Sequence, residues 1–157
     1  MKGHEKIIEN LNIRLSEELS AINQYFVHAE LCESWGYMSL HNMIRKRSID
    51  EMKHAEKLIA RILFLKGKPI VSVLSKINIG AEFPKIHEND WDAEDDAIRG
   101  YNESIRLAME MGDNGTRELF ESILKDEEGH IDFIEAQLEQ IRQMGLPNYL
   151  VDQAVAK

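Results

Sequence analysis

The chain has 157 residues, of which 43% are hydrophobic and 30% charged, and its net charge is −9. This length suits a single domain, residues 1–157, with a sizeable core. The negative charge argues against binding to nucleic acid, which favours a basic surface, and it suits a protein that attracts cations. Cys32 is the only cysteine, which excludes an intrachain disulfide and favours a reducing compartment.

The start of the chain, MKGHEKIIENLNIRLSEEL, is amphipathic and lacks the apolar centre of a signal peptide. No stretch has enough uninterrupted apolar residues to span a bilayer. We therefore expect a cytoplasmic protein that binds neither membrane nor nucleic acid.

Long stretches without proline, rich in Glu, Leu, Ile, Ala and Arg, predict helices. Glycine and proline signals divide these stretches and place a long connection at residues 67–82. The first predicted helix spans residues 5–35 and is followed by a break near Trp35-Gly36. The second helix ends near residue 66. The third begins near Pro84 and ends at the turn at 112–115, and the fourth spans residues 116–144.

Pro147 opens a short fifth helix, predicted at residues 146–157, whose apolar residues favour packing against other subunits. Short turns make neighbouring helices antiparallel, and a long connection lets a second hairpin pack alongside the first. We therefore predict an all-α fold. It is a four-helix bundle of two antiparallel hairpins, 5–66 and 84–144, with a long crossover and a short C-terminal helix.

Potential metal ligands in the first half of the chain recur in the second half at a fixed offset of 76 residues. Neighbouring residues follow the same offset, since Asp50 is matched by Asp126 and Tyr25 by Tyr101. The repeated ligands are Glu18, Glu51 and His54, followed by Glu94, Glu127 and His130.

Helical geometry predicts that these six side chains meet. Residues three apart share one helix face, so each Glu-x-x-His pair points in one direction. The midpoint of Glu18 and Glu51 falls at the first predicted turn, and that of Glu94 and Glu127 falls near the second. Each lone glutamate therefore lies level with the Glu-x-x-His pair of its own hairpin.

Four buried carboxylates would be very unfavourable without compensation, and two divalent cations would neutralise them. Carboxylate and imidazole ligands suit iron or manganese, and the lack of thiolates argues against a structural zinc site. A lone Glu-x-x-His motif is usually a solvated helix face. Its duplication favours a site for two metal ions, because a duplicated hairpin with inactive sites would usually have lost a ligand.

The ligand pattern is the one found in ferritin-like di-iron proteins, and over nearly its full length the chain resembles a bacterioferritin. The segments that carry the resemblance are Met1-Lys2-Gly3, Glu18 with residues 21–26, residues 48–55, residues 62–65, residues 78–80, residues 126–132 and residues 144–146.

The resemblance implies that Glu51 and Glu127 bridge two irons, with Glu18 and His54 completing one and Glu94 and His130 the other. It implies a ferroxidase that oxidises Fe²⁺ with dioxygen or hydrogen peroxide and stores ferric mineral inside a hollow shell of 24 subunits built from dimers. It also implies haem shared between two subunits, and a ferredoxin-type reductant for iron release.

Met52 is the candidate haem ligand. Because Glu51 and His54 face the core, Met52 must project from the flank of its helix, where we expect Leu19 and Phe26 to form an outer apolar surface with it. A symmetric dimer would cover this surface and bring two copies of Met52 together. The resemblance assigns the methionine at this position as an axial haem ligand. Arg45 and Lys53 lie near the same flank and are candidates to meet the haem propionates.

Some bacterioferritins bind an additional iron on the cavity wall through a histidine at position 46 and Asp50. This chain has Lys46, so the resemblance does not imply that accessory site here.

Tyr25 is expected to be a core tyrosine bonded to a carboxylate, with electron donation near the metal site as an alternative. Trp35 is expected to pack at the turn. The histidines without repeat partners are expected to be surface or structural residues: His4, His28, His41 and His87.

Three other function classes compete with the ferroxidase. A di-iron peroxidase of the rubrerythrin type usually adds a cysteine-rich iron domain, whereas this chain has one cysteine and no spare length. Small ferritins that coat DNA place the iron site between subunits and lack the duplicated Glu-x-x-His motif. The third class is an inert helical bundle with vestigial sites. The same ligands suit a di-iron site that is a stable cofactor and one through which iron passes to the cavity.

Overall fold

The computed structural model describes residues 1–155 of the chain. Their secondary structure is helical, and the helices are α1 Glu5–Ser34, α2 Met38–Phe64, α3 Lys85–Glu110, α4 Asn114–Met144 and α5 Leu146–Gln153. Helix α1 packs along α2, and α3 packs along α4, so the molecule consists of two helical hairpins joined side by side. The predicted all-α four-helix bundle with a short fifth helix is confirmed.

Both hairpin turns depend on local sequence signals. Gly36 has φ +83°, a left-handed conformation that glycine adopts without steric cost, and it separates α1 from α2. Helix α4 begins at Asn114, slightly earlier than predicted, because the carboxylate of Asp113 accepts a hydrogen bond from the Thr116 N–H at 3.0 Å. This N-cap satisfies a free amide of the first turn and fixes the start of the helix.

The fifth helix is shorter than the predicted range of 146–157. Helix α5 ends at Gln153, and Ala156 and Lys157 lie outside the described residues. The buried Tyr149 holds α5 against the bundle, since its hydroxyl donates to Gln137 Oε1 at 2.6 Å and lies 3.0 Å from His87 Nε2.

The crossover between the hairpins follows α1 closely. Polar side chains of α1 accept hydrogen bonds from backbone amides of the crossover. Ser20 Oγ accepts from the Ser75 N–H at 2.8 Å, and Gln24 Oε1 accepts from the Asn78 N–H at 3.0 Å. A connection without regular structure therefore keeps a fixed path, since its backbone groups find hydrogen-bond partners.

The bundle core is divided into two apolar clusters with a polar layer between them. One cluster contains Leu11, Leu58 and Phe120, and the other contains Cys32 and Ile44. The repeated glutamates lie between these clusters along each of the four long helices, so the apolar packing on both sides shields them from solvent. None of the helices described has an apolar stretch long enough to cross a membrane.

Candidate metal centre

The structure brings all six repeated side chains together in the polar layer of the bundle. Helices α1 and α3 each contribute one glutamate, while α2 and α4 each contribute a Glu-x-x-His pair. The four glutamates are at most 2% exposed. The six residues are Glu18, Glu51, His54, Glu94, Glu127 and His130.

These side chains form two groups of four that share two members. In each group, ligand atoms from all four residues lie within 4.8 Å of one another. One group adds Glu18 and His54 to the shared pair, and the other adds Glu94 and His130. The shared pair is Glu51 and Glu127, the carboxylates that the resemblance to bacterioferritins implies to be bridging ligands. The arrangement therefore has the geometry of two adjacent cation positions with common ligands.

The two imidazole rings present the same nitrogen to the carboxylates. His54 Nδ1 lies 3.0 Å from Glu51 Oε2 and 3.2 Å from Glu127 Oε1. His130 Nδ1 lies 3.0 Å from Glu51 Oε1 and 3.3 Å from Glu94 Oε1. Nδ1 of each ring is thus the atom available to a metal ion.

The other ring nitrogen of each histidine faces an aspartate of the opposite hairpin. His54 Nε2 is 2.9 Å from Asp126 Oδ2, and His130 Nε2 is 3.3 Å from Asp50 Oδ2. A carboxylate that accepts a hydrogen bond from Nε2–H keeps the ring oriented so that Nδ1, once deprotonated, directs its lone pair at the centre, as is common for histidines that bind metals. The repeat contained this signal in Asp50-Glu51 and Asp126-Glu127, but the contact of these aspartates with the histidines was not predicted from the sequence.

Two tyrosines hold the unshared glutamates across the hairpins. The Tyr25 hydroxyl donates to Glu94 Oε1 at 2.8 Å, and the Tyr101 hydroxyl donates to Glu18 Oε1 at 2.6 Å. Tyr25 is therefore a core tyrosine bonded to a carboxylate, as expected. The matching role of Tyr101 was missed, although the repeat had paired the two residues.

Charge crowding shifts the pKa values of several groups in the cluster. Burial, together with the charge of Glu127, raises the pKa of Glu94 to about 8 and holds the pKa of Glu51 well above its ordinary value. Although burial opposes both shifts, hydrogen bonds with the carboxylates raise the pKa of His130 to about 12, and hydrogen bonds from the histidines lower that of Glu127 to about 2. Protons therefore neutralise part of the negative charge when no cation is bound.

Hydrogen bonds do not satisfy all of the buried carboxylate oxygens. Within the described chain, one buried oxygen of each glutamate makes no hydrogen bond of good geometry, although two of these oxygens lie 3.0 and 3.2 Å from an imidazole Nδ1. The four oxygens are Glu18 Oε2, Glu51 Oε1, Glu94 Oε2 and Glu127 Oε1. Such oxygens are costly to bury, and a divalent cation would satisfy them. The residues present therefore fit two cations with oxygen and nitrogen ligands.

Met52 lies outside this centre, as the helical geometry predicted. Its side chain is 41% exposed on α2, and Phe26 on α1 is 47% exposed. The expectation for Leu19 was wrong in part, because that residue is half-buried and packs against the core. Arg45 and Lys53 are both exposed.

Lys46 Nζ lies 3.4 Å from Asp50 Oδ2, so the carboxylate that the accessory iron site of some bacterioferritins uses is engaged here by Lys46 and His130. This contact gives a physical reason to leave that site out of the proposed function.

Three of the unrepeated histidines are structural. His28 and His87 are fully buried, and His41 Nδ1 donates a hydrogen bond to the Ala29 carbonyl at 2.9 Å. His4 is exposed and accepts a hydrogen bond from the Lys6 N–H at the start of α1. Trp35 packs at the turn with edge-on contacts to Tyr37 and Phe83, as expected.

Comparison with known proteins places the chain in one family. The ferritin-like domain family matches residues 8–144. Bacterioferritin from Brucella melitensis is 44% identical over 149 residues, which cover 95% of this chain and 92% of that protein. Bacterioferritin from Rhodobacter capsulatus is 44% identical, with 92% and 90% covered, and that from Streptomyces coelicolor is 40% identical, with 96% and 90% covered. The chain, with its duplicated glutamate and histidine centre inside a four-helix bundle, therefore belongs to the bacterioferritins of the ferritin-like family.

Proposed function

We propose that this protein stores iron and acts as a ferroxidase. Fe²⁺ is its substrate, dioxygen or hydrogen peroxide is the oxidant, and ferric mineral accumulates in the cavity of a shell of 24 subunits. The observation that carries the proposal is the pair of four-residue groups that share Glu51 and Glu127. Two Fe²⁺ ions held side by side supply two electrons together, which avoids one-electron oxygen products.

The chain's own residues prepare the binding of Fe²⁺. Glu18 and His54 complete one position, Glu94 and His130 complete the other, and Glu51 and Glu127 serve both. The donor set of carboxylate oxygens and imidazole nitrogens suits Fe²⁺. Because the four carboxylates carry four negative charges when ionised, two divalent cations balance them without further counter-ions.

Proton release accompanies the binding of the two cations. The raised pKa of His130 means that its ring is protonated at neutral pH in the metal-free protein. Hydrogen bonds to Glu127, Glu18 and Glu51 likewise raise the pKa of His54, against the effect of burial. A cation can bind at Nδ1 only after that proton leaves, so iron uptake should weaken as the pH falls.

Tyr25 and Tyr101 orient the two unshared glutamates through hydrogen bonds. As an alternative to this positioning role, Tyr25 is a candidate electron donor to the centre, since a phenol beside it can supply an electron. Burial of all four glutamates keeps bulk water from competing for the cations.

Haem binding between two subunits is the second part of the proposal. Met52 presents an unburied thioether on the flank of α2, and the apolar Phe26 is exposed on the adjacent α1, so the surface fits an apolar macrocycle held by two symmetry-related methionines. Haem would supply one-electron redox chemistry there. A ferredoxin-type reductant for the release of stored iron belongs to the same proposal.

Substitution of the ligands tests the ferroxidase assignment. Glu18→Ala or Glu127→Ala should nearly abolish rapid Fe²⁺ oxidation, measured by stopped-flow absorbance of the ferric product, while helicity and particle mass stay unchanged. Glu128→Ala is the matched control, because Glu128 is the exposed neighbour of Glu127. Wild-type oxidation rates in both ligand variants would show that the site assignment is wrong.

A further inference from the structure

A third group of potential metal ligands lies at the turn end of the first hairpin. Glu30 and Glu33 near the end of α1 and His41 near the start of α2 each offer one ligand atom, and these atoms lie within 4.8 Å of one another. Glu30 lies twelve residues after Glu18 on α1, and the rise per residue of an α-helix puts them about 18 Å apart. The group is therefore separate from the metal centre, and it shares no residue with that centre.

The 76-residue repeat does not extend to this third group. The positions 76 residues after its members hold Arg106, Met109 and Arg117. Two of these three residues are cationic, so the second hairpin cannot form the same set of ligands. The group is a property of the first hairpin alone, and the search for repeated ligands could not predict it.

His41 is held in an orientation that suits a metal ligand. The residue is only 9% exposed, and its Nδ1 donates a hydrogen bond to the Ala29 carbonyl at 2.9 Å. Because this bond keeps the proton on Nδ1, the lone pair of the ring is on Nε2, which has no hydrogen-bond partner among the described residues. Histidines that bind metals commonly donate their other ring N–H to a backbone carbonyl in this way.

The two glutamates carry negative charge without a close counter-charge. They are exposed and three residues apart on one helix face, where like charges repel each other. They also lie near the C-terminal end of α1, where the last turn has no basic residue and the helix dipole adds negative potential. The one ion-pair contact of either carboxylate in the described chain joins Glu33 Oε2 to His41 Nδ1 at 4.0 Å, which is too long for a hydrogen bond.

We propose that Glu30, Glu33 and His41 form an additional binding site for a divalent transition-metal ion. His41 Nε2 and one oxygen of each carboxylate are the protein ligands, and water completes the coordination. This donor set suits Zn²⁺, which commonly takes three protein ligands and a water. Since both glutamate side chains are exposed, they can turn towards an ion at Nε2 without disturbing the core.

The bound ion links the end of α1 to the start of α2 across the first turn. The imidazole nitrogen makes the site selective, because Mg²⁺ prefers oxygen ligands and binds imidazole poorly. The inference goes beyond the proposed function and does not depend on it, since none of the three residues belongs to the metal centre.

Zn²⁺ titration of the assembled metal-free protein, followed by calorimetry, tests the site. His41→Gln should bind one Zn²⁺ fewer per chain than the wild type, because glutamine can still donate to the Ala29 carbonyl but offers no imidazole nitrogen. Glu30→Gln combined with Glu33→Gln should lose the same ion. Both glutamates are exposed, so this double variant keeps the test valid if His41→Gln does not fold. Excess Mg²⁺ should leave the Zn²⁺ stoichiometry of the wild type unchanged.

The matched control removes a different pair of exposed carboxylates with the same spacing. Glu118→Gln combined with Glu121→Gln changes such a pair on α4, and no histidine of the described chain joins that pair in a ligand group. This control should bind as many Zn²⁺ ions as the wild type. Anomalous diffraction at the zinc absorption edge should place the additional ion beside His41 Nε2.

Three outcomes would overturn the proposed site. The first is equal Zn²⁺ stoichiometry in the wild type and in both site variants. The second is an equal loss of Zn²⁺ in the control, which would show general attraction to exposed carboxylates, and the third is displacement of the ion by Mg²⁺. None of these outcomes affects the ferroxidase proposal, which fails on unchanged Fe²⁺ oxidation in Glu18→Ala and Glu127→Ala.

Discussion

At the residue scale, the centre depends on pairs of groups that cross between the hairpins. Asp126 of α4 faces His54 of α2, and Tyr101 of α3 holds Glu18 of α1. A crossing pair fixes a ligand and also ties the two hairpins together. The polar layer is therefore part of the bundle packing as well as the candidate site of chemistry.

The aspartates behind the histidines should control metal binding without touching the metal. Asp126→Asn should weaken Fe²⁺ affinity and slow its oxidation by about 10–100-fold, because the amide no longer stabilises the ring with Nε2 protonated and Nδ1 free. Anaerobic Fe²⁺ titration and stopped-flow oxidation would measure both effects. Asp132→Asn, on the exposed face of α4, is the control and should behave like the wild type. Unchanged affinity in Asp126→Asn would remove the role that we assign to the contact.

At the element scale, the short helix α5 is joined to the bundle through buried polar groups. His87 of α3 meets the Tyr149 hydroxyl, and its ring centroid is 4.8 Å from that of Phe83. Burial, followed by the charge of Arg47, lowers the pKa of His87 to about 3. The folded protein therefore keeps this imidazole neutral over most of the acidic range, and α5 is anchored by a group that resists protonation.

The buried His87 should make the fold sensitive to acid. The unfolded chain binds a proton at this histidine below its ordinary pKa of about 6.5, whereas the folded protein does not until about pH 3. The free energy of unfolding should therefore fall between these values by on the order of 1–3 kcal/mol from this group.

Denaturant unfolding of the metal-free protein at several pH values would test the contribution of His87. His87→Gln should lose less stability than the wild type as the pH falls, because the amide stays neutral and can still donate to Tyr149. His4→Gln is the control, since His4 is exposed. A pH profile of His87→Gln that is parallel to the wild-type profile would contradict the prediction.

At the scale of the whole molecule, the exposed apolar residues favour association with other chains. Phe26 and Met52 project from the first hairpin, and Val71 and Val73 of the crossover are more than half exposed. A single chain with such surfaces would be expected to associate. Light scattering should therefore report a particle far larger than a dimer, as the proposed shell of 24 subunits requires. Phe26→Lys should reduce the particle mass while helicity is retained, and a stable wild-type monomer at micromolar concentration would contradict the proposed shell.

Haem content tests the two-fold contact separately. The purified protein should hold about half a haem per chain, because two symmetry-related methionines share each one. Met52→Leu should lose the haem and keep Fe²⁺ oxidation, since the ligands of the candidate metal centre are unchanged. Met52→His should keep the haem with a shifted spectrum and a lower potential, because imidazole favours ferric iron more than a thioether does. Haem retained with an unchanged spectrum in Met52→Leu would show that Met52 is not the ligand.

The sequence by itself determined the all-α bundle, the approximate helix limits and the six residues that meet in the polar layer. It could do so because helical periodicity and the 76-residue repeat are local patterns that place side chains on faces and at matching heights. The Trp35–Gly36 turn and the crossover could also be predicted from local sequence, because glycine and proline restrict or release the backbone only within a few residues.

Only the tertiary structure decided which groups support the ligands. The contacts of Asp126 with His54, of Asp50 with His130 and of Tyr101 with Glu18 join residues far apart in the chain. These contacts depend on how the two hairpins are oriented against each other, which no local pattern specifies. The burial of Leu19 was misjudged for the same reason, because the exposure of a residue on a helix flank depends on the neighbours that the bundle places beside it.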